Sequence, residues 1–188
     1  MTFLSVILHI KENKQNNMDK AELIEDLERK GINLFDTFLY CKFLKCYAQL
    51  TIFSAESTKN KIVISDYLMS CIEDFIEYDQ SEINKIKSLV YKDYKIYMKN
   101  AGYGFVPQEL YEKYKNKPGK ANQEYFKINN KEEAFKALTF QSASVVQYSN
   151  ISEEEKNNRY VGYFFTRPWD DEHELEIVLK NRKFSKII

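Results

Sequence analysis

The sequence predicts an α+β fold, with helices packed on one face of a mostly antiparallel sheet. Amphipathic helical periods dominate the first two thirds of the chain, and short β-rich runs fill the last third. The turns between those runs are too short for the crossover that parallel strands require. With 188 residues, 44% of them hydrophobic, the chain can bury one core, so we expect a single domain over residues 1–188.

The N-terminal segment is expected to hold a strand and a helix. Residues 3–10 are rich in Ile, Val and Leu and predict a short strand, so residues 1–17 form either a separate edge strand or an extension. Asp19 is a suitable N-cap for a helix through Leu27, and Gly31 fits the position just after its C-terminus.

Residues 34–53 form an almost continuous apolar and aromatic stretch that fits both helical and strand periods. We interpret it as a helix to Tyr47 followed by a strand. Residues 61–64 are rich in β-branched side chains and are expected to pair with residues 49–53 of that strand as a hairpin.

Four further helices are predicted before the C-terminal strands. Their expected first residues or caps are Ser65, Ser81, Pro107 and Asn130. The second helix should end before Gly102, and the two short ones at Tyr114 and Leu138. Residues 117–120, Lys-Pro-Gly-Lys, are expected to form a loop.

The last third of the chain is expected to form three to four short strands. The β-rich runs cover residues 140–148, 160–166, 175–179 and 183–188, separated by polar turns.

Composition and charge exclude several classes of partner. The formal net charge is zero, which removes any overall attraction to nucleic acid or to an anionic membrane. Tyr and Lys interleave from Tyr91 to Lys115, a pattern that can hold single-stranded nucleic acid, but the favoured explanation is the apolar stripe and solvated Lys face of an amphipathic helix. No run reaches the ~20 apolar residues of a membrane span. We therefore expect a cytoplasmic protein without a nucleic-acid or membrane partner.

The three cysteines, Cys41, Cys46 and Cys71, form no C-x-x-C pair and leave an odd number. This spacing argues against both a disulfide framework and a zinc knuckle. We expect them to be small buried hydrophobic residues.

The most unusual string in the chain is P-W-D-D-E-H, which begins at Pro168 and holds the only Trp and one of two His. The candidate binding residues are Trp169, Asp170, Asp171, Glu172 and His173. Carboxylates and imidazole can ligate zinc or iron, and His9 could add a second imidazole.

In an extended chain, however, Asp170 and Glu172 point away from Asp171 and His173, so a convergent metal site is not favoured. The favoured interpretation is architectural. Trp169 buries its ring, Asp170 accepts backbone N–H groups, and Glu172 with His173 pairs with neighbouring strands.

The C-terminal string from Tyr160 to Ile188 resembles the end of a family of uncharacterised bacterial domains. The family pattern is a strand, W-D-x-E-H, usually a Gly, an apolar strand and a short closing strand. The matching residues are Trp169, Asp170, Glu172 and His173. Glu174 stands where Gly, which permits a positive φ, is usual. The resemblance implies the C-terminal fold, and some members are immunity-like partners in bacterial toxin systems.

Two functions stay open. The favoured hypothesis is a protein-interaction module, immunity-like against a bacterial toxin, that docks a basic protein domain on acidic and aromatic surface. Residues 66–79 and 170–176 carry several acids and no Lys or Arg. The alternative is a metal-binding protein or hydrolase-like enzyme that uses Asp170, Glu172 and His173. No phosphate-loop, G-x-S-x-G or H-E-x-x-H pattern occurs, so we expect no cofactor.

Overall fold

The computed structural model describes residues 19–100, 106–148, 152 and 157–188. The strand predicted over residues 3–10 lies outside the described residues, as does His9. Among the described residues there are six helices and a seven-stranded, mostly antiparallel sheet, which confirms the α+β class.

The strands lie in the sheet in their order along the chain. They are β1 (Glu28–Arg29), β2 (Leu34–Cys41), β3 (Cys46–Ser54), β4 (Thr139–Gln147), β5 (Tyr160–Arg167), β6 (Asp170–Lys180) and β7 (Lys183–Ile187). Strand β2 pairs antiparallel with β1 and β3, whereas β3 and β4 pair in parallel. The parallel pair needs a long crossover, and the helical part of the chain supplies it.

The helices are α1 (Lys20–Glu25), α2 (Asp66–Glu77), α3 (Ile83–Asn100), α4 (Gln108–Lys113), α5 (Pro118–Phe126) and α6 (Lys131–Lys136). Three of the predicted caps are confirmed. Asp19 accepts from two backbone N–H groups of α1, Ser65 from that of Leu68, and Asn130 from two N–H groups of α6. None of the helices in the described residues is long and apolar enough to cross a bilayer.

The helix predicted from residue 34 to Tyr47 is wrong, because this stretch forms strand β2, a tight turn and the start of β3. Phe35, Thr37 and Leu39 are buried at a spacing of two residues, which is the period of a strand. The turn contains Lys45 with a φ of 58°. Pairing and burial in the sheet outweigh the helical fit of the sequence.

The hairpin predicted between residues 49–53 and 61–64 is also wrong. Strand β3 has β2 on one side and β4 on the other, so neither edge is open to residues 61–64. Helix α1 ends at Glu25, and Gly31 lies in the β1–β2 turn rather than at the end of that helix.

Residues 117–120 begin a helix instead of forming the predicted loop. Pro118 is the first residue of α5, a position where its missing N–H costs nothing. Gly119 follows in the first turn, so the Pro-Gly pair is part of a helix start.

The chain divides into two compact units. The first is drawn from the described residues of 1–80, 142–163 and 178–185, and the second from those of 81–141, 164–177 and 186–188. Buried side chains of the first unit include Phe35, Leu50, Ile52, Phe75 and Tyr163. Those of the second include Val90, Tyr94, Trp169, Leu175 and Ile177. The single domain expected over residues 1–188 stays a prediction.

Candidate functional site

The candidate binding residues lie on the β5–β6 hairpin, within the second unit. Strand β5 ends at Arg167, Pro168 and Trp169 form a two-residue turn, and β6 begins at Asp170. The strand therefore starts well before the predicted Leu175. The residues between Trp169 and Leu175 are polar, and this composition predicts a loop. A strand whose first residues are exposed to solvent has the same composition.

Trp169 is fully buried, as the architectural interpretation predicts. Its indole Nε1 donates a hydrogen bond to Asp93 Oδ2 over 3.1 Å. Its ring packs edge-on against Tyr94, with the ring centroids 5.2 Å apart. Burial of the indole and satisfaction of its N–H together hold the turn against helix α3.

Arg167 connects two carboxylates beneath the hairpin. Its Nη1 donates to Asp93 Oδ2 over 2.8 Å, and its Nη2 donates to Asp170 Oδ2 over 2.6 Å. The side chains of Arg167 and Asp170 are 11% and 9% exposed, so their ion pair is largely shielded from water, whereas the Asp93 side chain is 33% exposed. Charge-assisted hydrogen bonds of this kind offset the cost of removing the charges from solvent.

Asp170 is buried and also contacts His173, whose Nδ1 lies 3.1 Å from Asp170 Oδ1. The expectation that the two residues point in opposite directions is wrong. Four exposed residues in succession follow Asp170, so this part of β6 lacks the two-residue alternation of a regular strand. Asp170 pairs with the side chains of Arg167 and His173, whereas the sequence suggested backbone N–H groups as its partners.

The ionised form of Asp170 is stabilised by its partners. Burial raises the pKa of a carboxyl group, but the hydrogen bond from His173 and the positive charge of Arg167 outweigh it, so the pKa of Asp170 is lowered. The imidazole of His173 itself is 71% exposed. A solvent-accessible imidazole oriented by a carboxylate is chemically competent as a general base.

The remaining residues of the string form an exposed acidic surface. Asp171, Glu172 and Glu174 are exposed beside His173. Glu174 lies inside β6 without a positive φ, so this strand does not need the usual Gly there. Tyr97 on α3 lies within their field, since burial and then the charges of Asp170, Asp171 and Glu172 raise the pKa of Tyr97. We call this surface the hairpin surface; it comprises Asp171, Glu172, His173, Glu174 and Tyr97.

The positions of the hairpin side chains do not support the hypothesis of a metal site. No group of three or more His, Cys, Asp or Glu side chains that could hold an ion occurs among the described residues. Asp170 and His173 meet, whereas Glu172 lies exposed on the strand.

Sequence reasoning did not identify Asp93 and Arg167 as partners of the hairpin. Asp93 is the only acid of the Lys-rich helix α3, and it directly precedes the apolar-stripe residue Tyr94. An acid next to a buried stripe position is a signal that could have marked it, because a half-buried carboxylate needs a partner.

The match to a known family covers nearly the whole chain. The model of DUF6985, a domain of unknown function, matches residues 23–187. The chain belongs to the DUF6985 family. No curated protein and no solved structure matches it. The bacterial origin and the W-D-x-E-H pattern stay predictions.

A second charged cluster of this DUF6985 domain lies in the first unit. Asp74 on α2 is 1% exposed and accepts hydrogen bonds from Arg159 Nε over 2.8 Å and from Arg182 Nε over 3.0 Å. The hydrogen bond and charge of Asp74 raise the pKa of Arg159. Arg182 and Asn181 both have positive φ in the β6–β7 turn. This cluster ties the turn to α2 and is structural in character.

Two of the three thiols are poor nucleophiles. Burial raises the pKa of the Cys71 thiol to about 11 and also raises the pKa of Cys41. Both cysteines are buried, as predicted from the sequence. Cys46 is exposed at the start of β3, so the prediction of a buried residue is wrong for this position.

Proposed function

We propose that this DUF6985 domain is a protein-interaction module that binds a basic partner through the hairpin surface. The observation that carries the proposal is the contrast along β6. Asp170 is buried and paired, whereas Asp171, Glu172, His173 and Glu174 are all exposed directly after it. The exposed carboxylates therefore extend from the start of a strand that the buried Asp170 holds in place.

The contacts that hold the turn and the start of β6 in place support the proposal. The turn is held by the buried Trp169 indole, and the strand start by the Arg167–Asp170 ion pair. A pre-organised surface loses little conformational entropy when a partner docks, which favours binding. A loop of the same composition without these contacts would lose more conformational entropy, because binding would have to order it.

The charge of the surface indicates the chemistry of the partner. Asp171, Glu172 and Glu174 carry three negative charges and Tyr97 adds an aromatic group beside them. Complementary fields raise association rates and exclude partners of like charge. A protein surface rich in Lys and Arg fits this pattern.

The sharper form of the proposal is an immunity-like protein of the bacterial cytoplasm that covers a toxin domain. A nuclease toxin would be a suitable target because its active site is built to bind phosphates and is therefore basic. The resemblance of the C-terminal string to a family with immunity-like members supports this form.

Affinity capture from the native host tests the proposal with two double variants of the full chain. Asp171→Asn with Glu172→Gln removes two charges from the hairpin surface. Glu25→Gln with Asp26→Asn removes two equally exposed charges elsewhere. We expect a basic protein that is retained by the wild type and the control variant but lost by the hairpin variant.

Association kinetics then distinguish specific docking from nonspecific binding. The association rate of the captured partner should fall about tenfold with the hairpin variant, and it should fall with rising salt for the wild type. A capture profile that is identical for all three proteins would contradict the proposal.

A second candidate function rests on the contact between Asp170 and His173. The Asp170 carboxylate orients the exposed imidazole of His173, which could then act as a general base. Glu172 directly precedes His173 in the strand. The hypothesis is a metal-binding or hydrolase-like protein. Metal analysis of the purified chain, compared with His173→Ala, tests it: stoichiometric zinc or iron that disappears on substitution would favour this function over the interaction module.

A further inference from the structure

Cys41 and Cys46 lie directly opposite each other where strands β2 and β3 meet the turn of their hairpin. They form the last pair in the antiparallel register of the two strands. Opposed residues of this kind have Cα atoms about 4.5 to 5.5 Å apart and side chains on the same face of the sheet. A disulfide bond joins Cα atoms about 4.4 to 6.8 Å apart. Bridging the two thiols therefore needs at most a small closure at the end of the hairpin.

The turn between the two cysteines is held in a defined position. The backbone N–H of Lys42 donates to the carbonyl oxygen of Ile76 over 3.2 Å, and Gln80 Nε2 donates to the carbonyl oxygen of Phe43 over 2.7 Å. Both contacts fix the turn against the end of helix α2 and the residues that follow it. A hairpin end fixed in this way keeps the two thiols side by side, which raises their effective concentration toward each other.

Only one of the two thiols is open to solvent. Cys46 is exposed, whereas Cys41 is fully buried. Burial also raises the pKa of Cys41, so its thiol stays largely protonated and reacts slowly. An oxidant in solution therefore modifies Cys46 first. Cys71, the third cysteine, is buried on helix α2 and does not belong to the pair.

The buried thiol can turn toward Cys46 at little cost. Cys41 Sγ donates a weak hydrogen bond to Tyr163 Oη over 3.7 Å. Loss of this bond does not leave Tyr163 unsatisfied, because its own O–H donates to the carbonyl oxygen of Phe75 over 3.2 Å. The contact between thiol and hydroxyl therefore does not oppose a bond between the two sulfur atoms.

We propose that Cys41 and Cys46 form a reversible disulfide when the protein meets a peroxide. The Cys46 thiolate attacks hydrogen peroxide, the O–O bond breaks, and Cys46 becomes a sulfenic acid while one water is released. The Cys41 sulfur then attacks the Cys46 sulfur. The S–S bond forms, the S–O bond breaks, and the departing hydroxide takes up the Cys41 proton as a second water. Two electrons pass from the two thiols to the peroxide.

The pair protects Cys46 from irreversible oxidation. A sulfenic acid without a neighbouring thiol can go on to sulfinic acid, which thiol reductants do not restore, whereas a disulfide is reduced back to two thiols. Closure is slow because the Cys41 thiol is largely protonated, so brief labelling of the native protein reports on Cys46 alone. Both cysteines belong to the first unit and the hairpin surface to the second, so this proposal does not depend on the proposed protein partner.

Peptide mapping of the full chain after treatment with hydrogen peroxide tests the proposal. Trypsin cleaves after Lys42 and Lys45, between the two cysteines, so the peptides of residues 31–42 and 46–59 stay joined only where a disulfide links them. Free thiols are alkylated before digestion. We expect the joined peptides after about one equivalent of peroxide, and we expect dithiothreitol to separate them.

Two variants, each lacking one buried thiol, test the protective role of Cys41. Cys41→Ala should lose most of its recoverable Cys46 thiol to sulfinic acid when peroxide is in excess. Cys71→Ala is the matched control and should recover its Cys46 thiol as fully as the wild type does. Circular dichroism verifies that both variants are folded, and the peptide map of the wild type remains decisive if either is not.

Three results would overturn the proposal. The first is a peroxide-treated native protein without the joined peptides. The second is a link between Cys41 and Cys46 that forms only in urea, or as often with Cys71, because the fold would then not select the pair. The third is an equal loss of Cys46 thiol in Cys41→Ala and Cys71→Ala.

Discussion

The Asp74 carboxylate accepts a hydrogen bond from Arg159 Nε over 2.8 Å, although 85 residues separate the two in the chain. Asp74 is 1% exposed and lies on α2, whereas Arg159 directly precedes β5. A buried carboxylate without its cations would be strongly unfavourable, so this ion pair should be a determinant of stability in the first unit.

Asp74→Asn is expected to lower the free energy of unfolding by about 2 kcal/mol. The variant leaves Arg159 and Arg182 without a counter-charge, but both are partly exposed and regain some hydration. Urea denaturation measures the change. Asp66→Asn on the same helix is the control, because its carboxylate is fully exposed and should contribute less than about 0.5 kcal/mol. Equal effects of the two variants would contradict the prediction.

Asp170 should make stability depend on pH in the acid range. Its pKa is lower in the folded state than in the unfolded state, so its ionised form stabilises the fold above about pH 4. That contribution is lost as the pH falls through the folded pKa. The stability difference between the wild type and Asp170→Asn should therefore be larger at pH 7 than at pH 3, measured by urea denaturation.

The neighbouring residue supplies the control for this pH effect. Asp171 is exposed, and Asp171→Asn should change the free energy of unfolding by less than about 0.5 kcal/mol at either pH. A constant difference between the wild type and Asp170→Asn across the pH range would show that the carboxylate does not act through its ionisation.

Thiol labelling should distinguish the three cysteines. At pH 8 an aromatic disulfide reagent is expected to modify Cys46 quickly and to leave Cys41 and Cys71 unmodified until the protein unfolds. Burial blocks access to those two thiols and raises the pKa of each. Cys46→Ser should abolish the fast phase. Rapid labelling of more than one thiol in the native protein would refute the assignment.

Gly119→Ala should destabilise the protein, although alanine is the better helix former. The added Cβ meets the backbone oxygen of Met98, which cannot move without shifting α3, so we expect a loss of about 1–3 kcal/mol. Gly31→Ala is the matched control, because its nearest atom would be Leu34 Cβ at an ordinary contact distance of 3.5 Å. Thermal unfolding measures both, and a neutral Gly119→Ala would argue against the close helix contact.

Local signals predicted much of the secondary structure correctly. The caps at Asp19, Ser65 and Asn130 and most C-terminal strands were recognisable because each depends on residues a few positions apart. The stretch from residue 34 to Tyr47 was predicted wrongly because its apolar residues fit two periods at once. Only pairing in the sheet decides between them.

The candidate site was predicted in part. The sequence indicated that Trp169 is buried, but it placed the acids beside it in a connection between strands, whereas they lie inside β6. It did not indicate that His173 turns toward Asp170, or that Arg167 holds Asp170 and Asp93 together. Those contacts depend on the local course of the strand and on a residue from a distant helix.

The sequence by itself determined the α+β class, the amphipathic helices and the β-rich C-terminal third, since these follow from periodicity and short-range chemistry. Tertiary structure alone decided which charges meet. The pairing of Asp74 with Arg159 and that of Asp93 with Arg167 join residues far apart in the chain. Such contacts leave no periodic trace in the sequence, because packing of whole helices and strands brings them together.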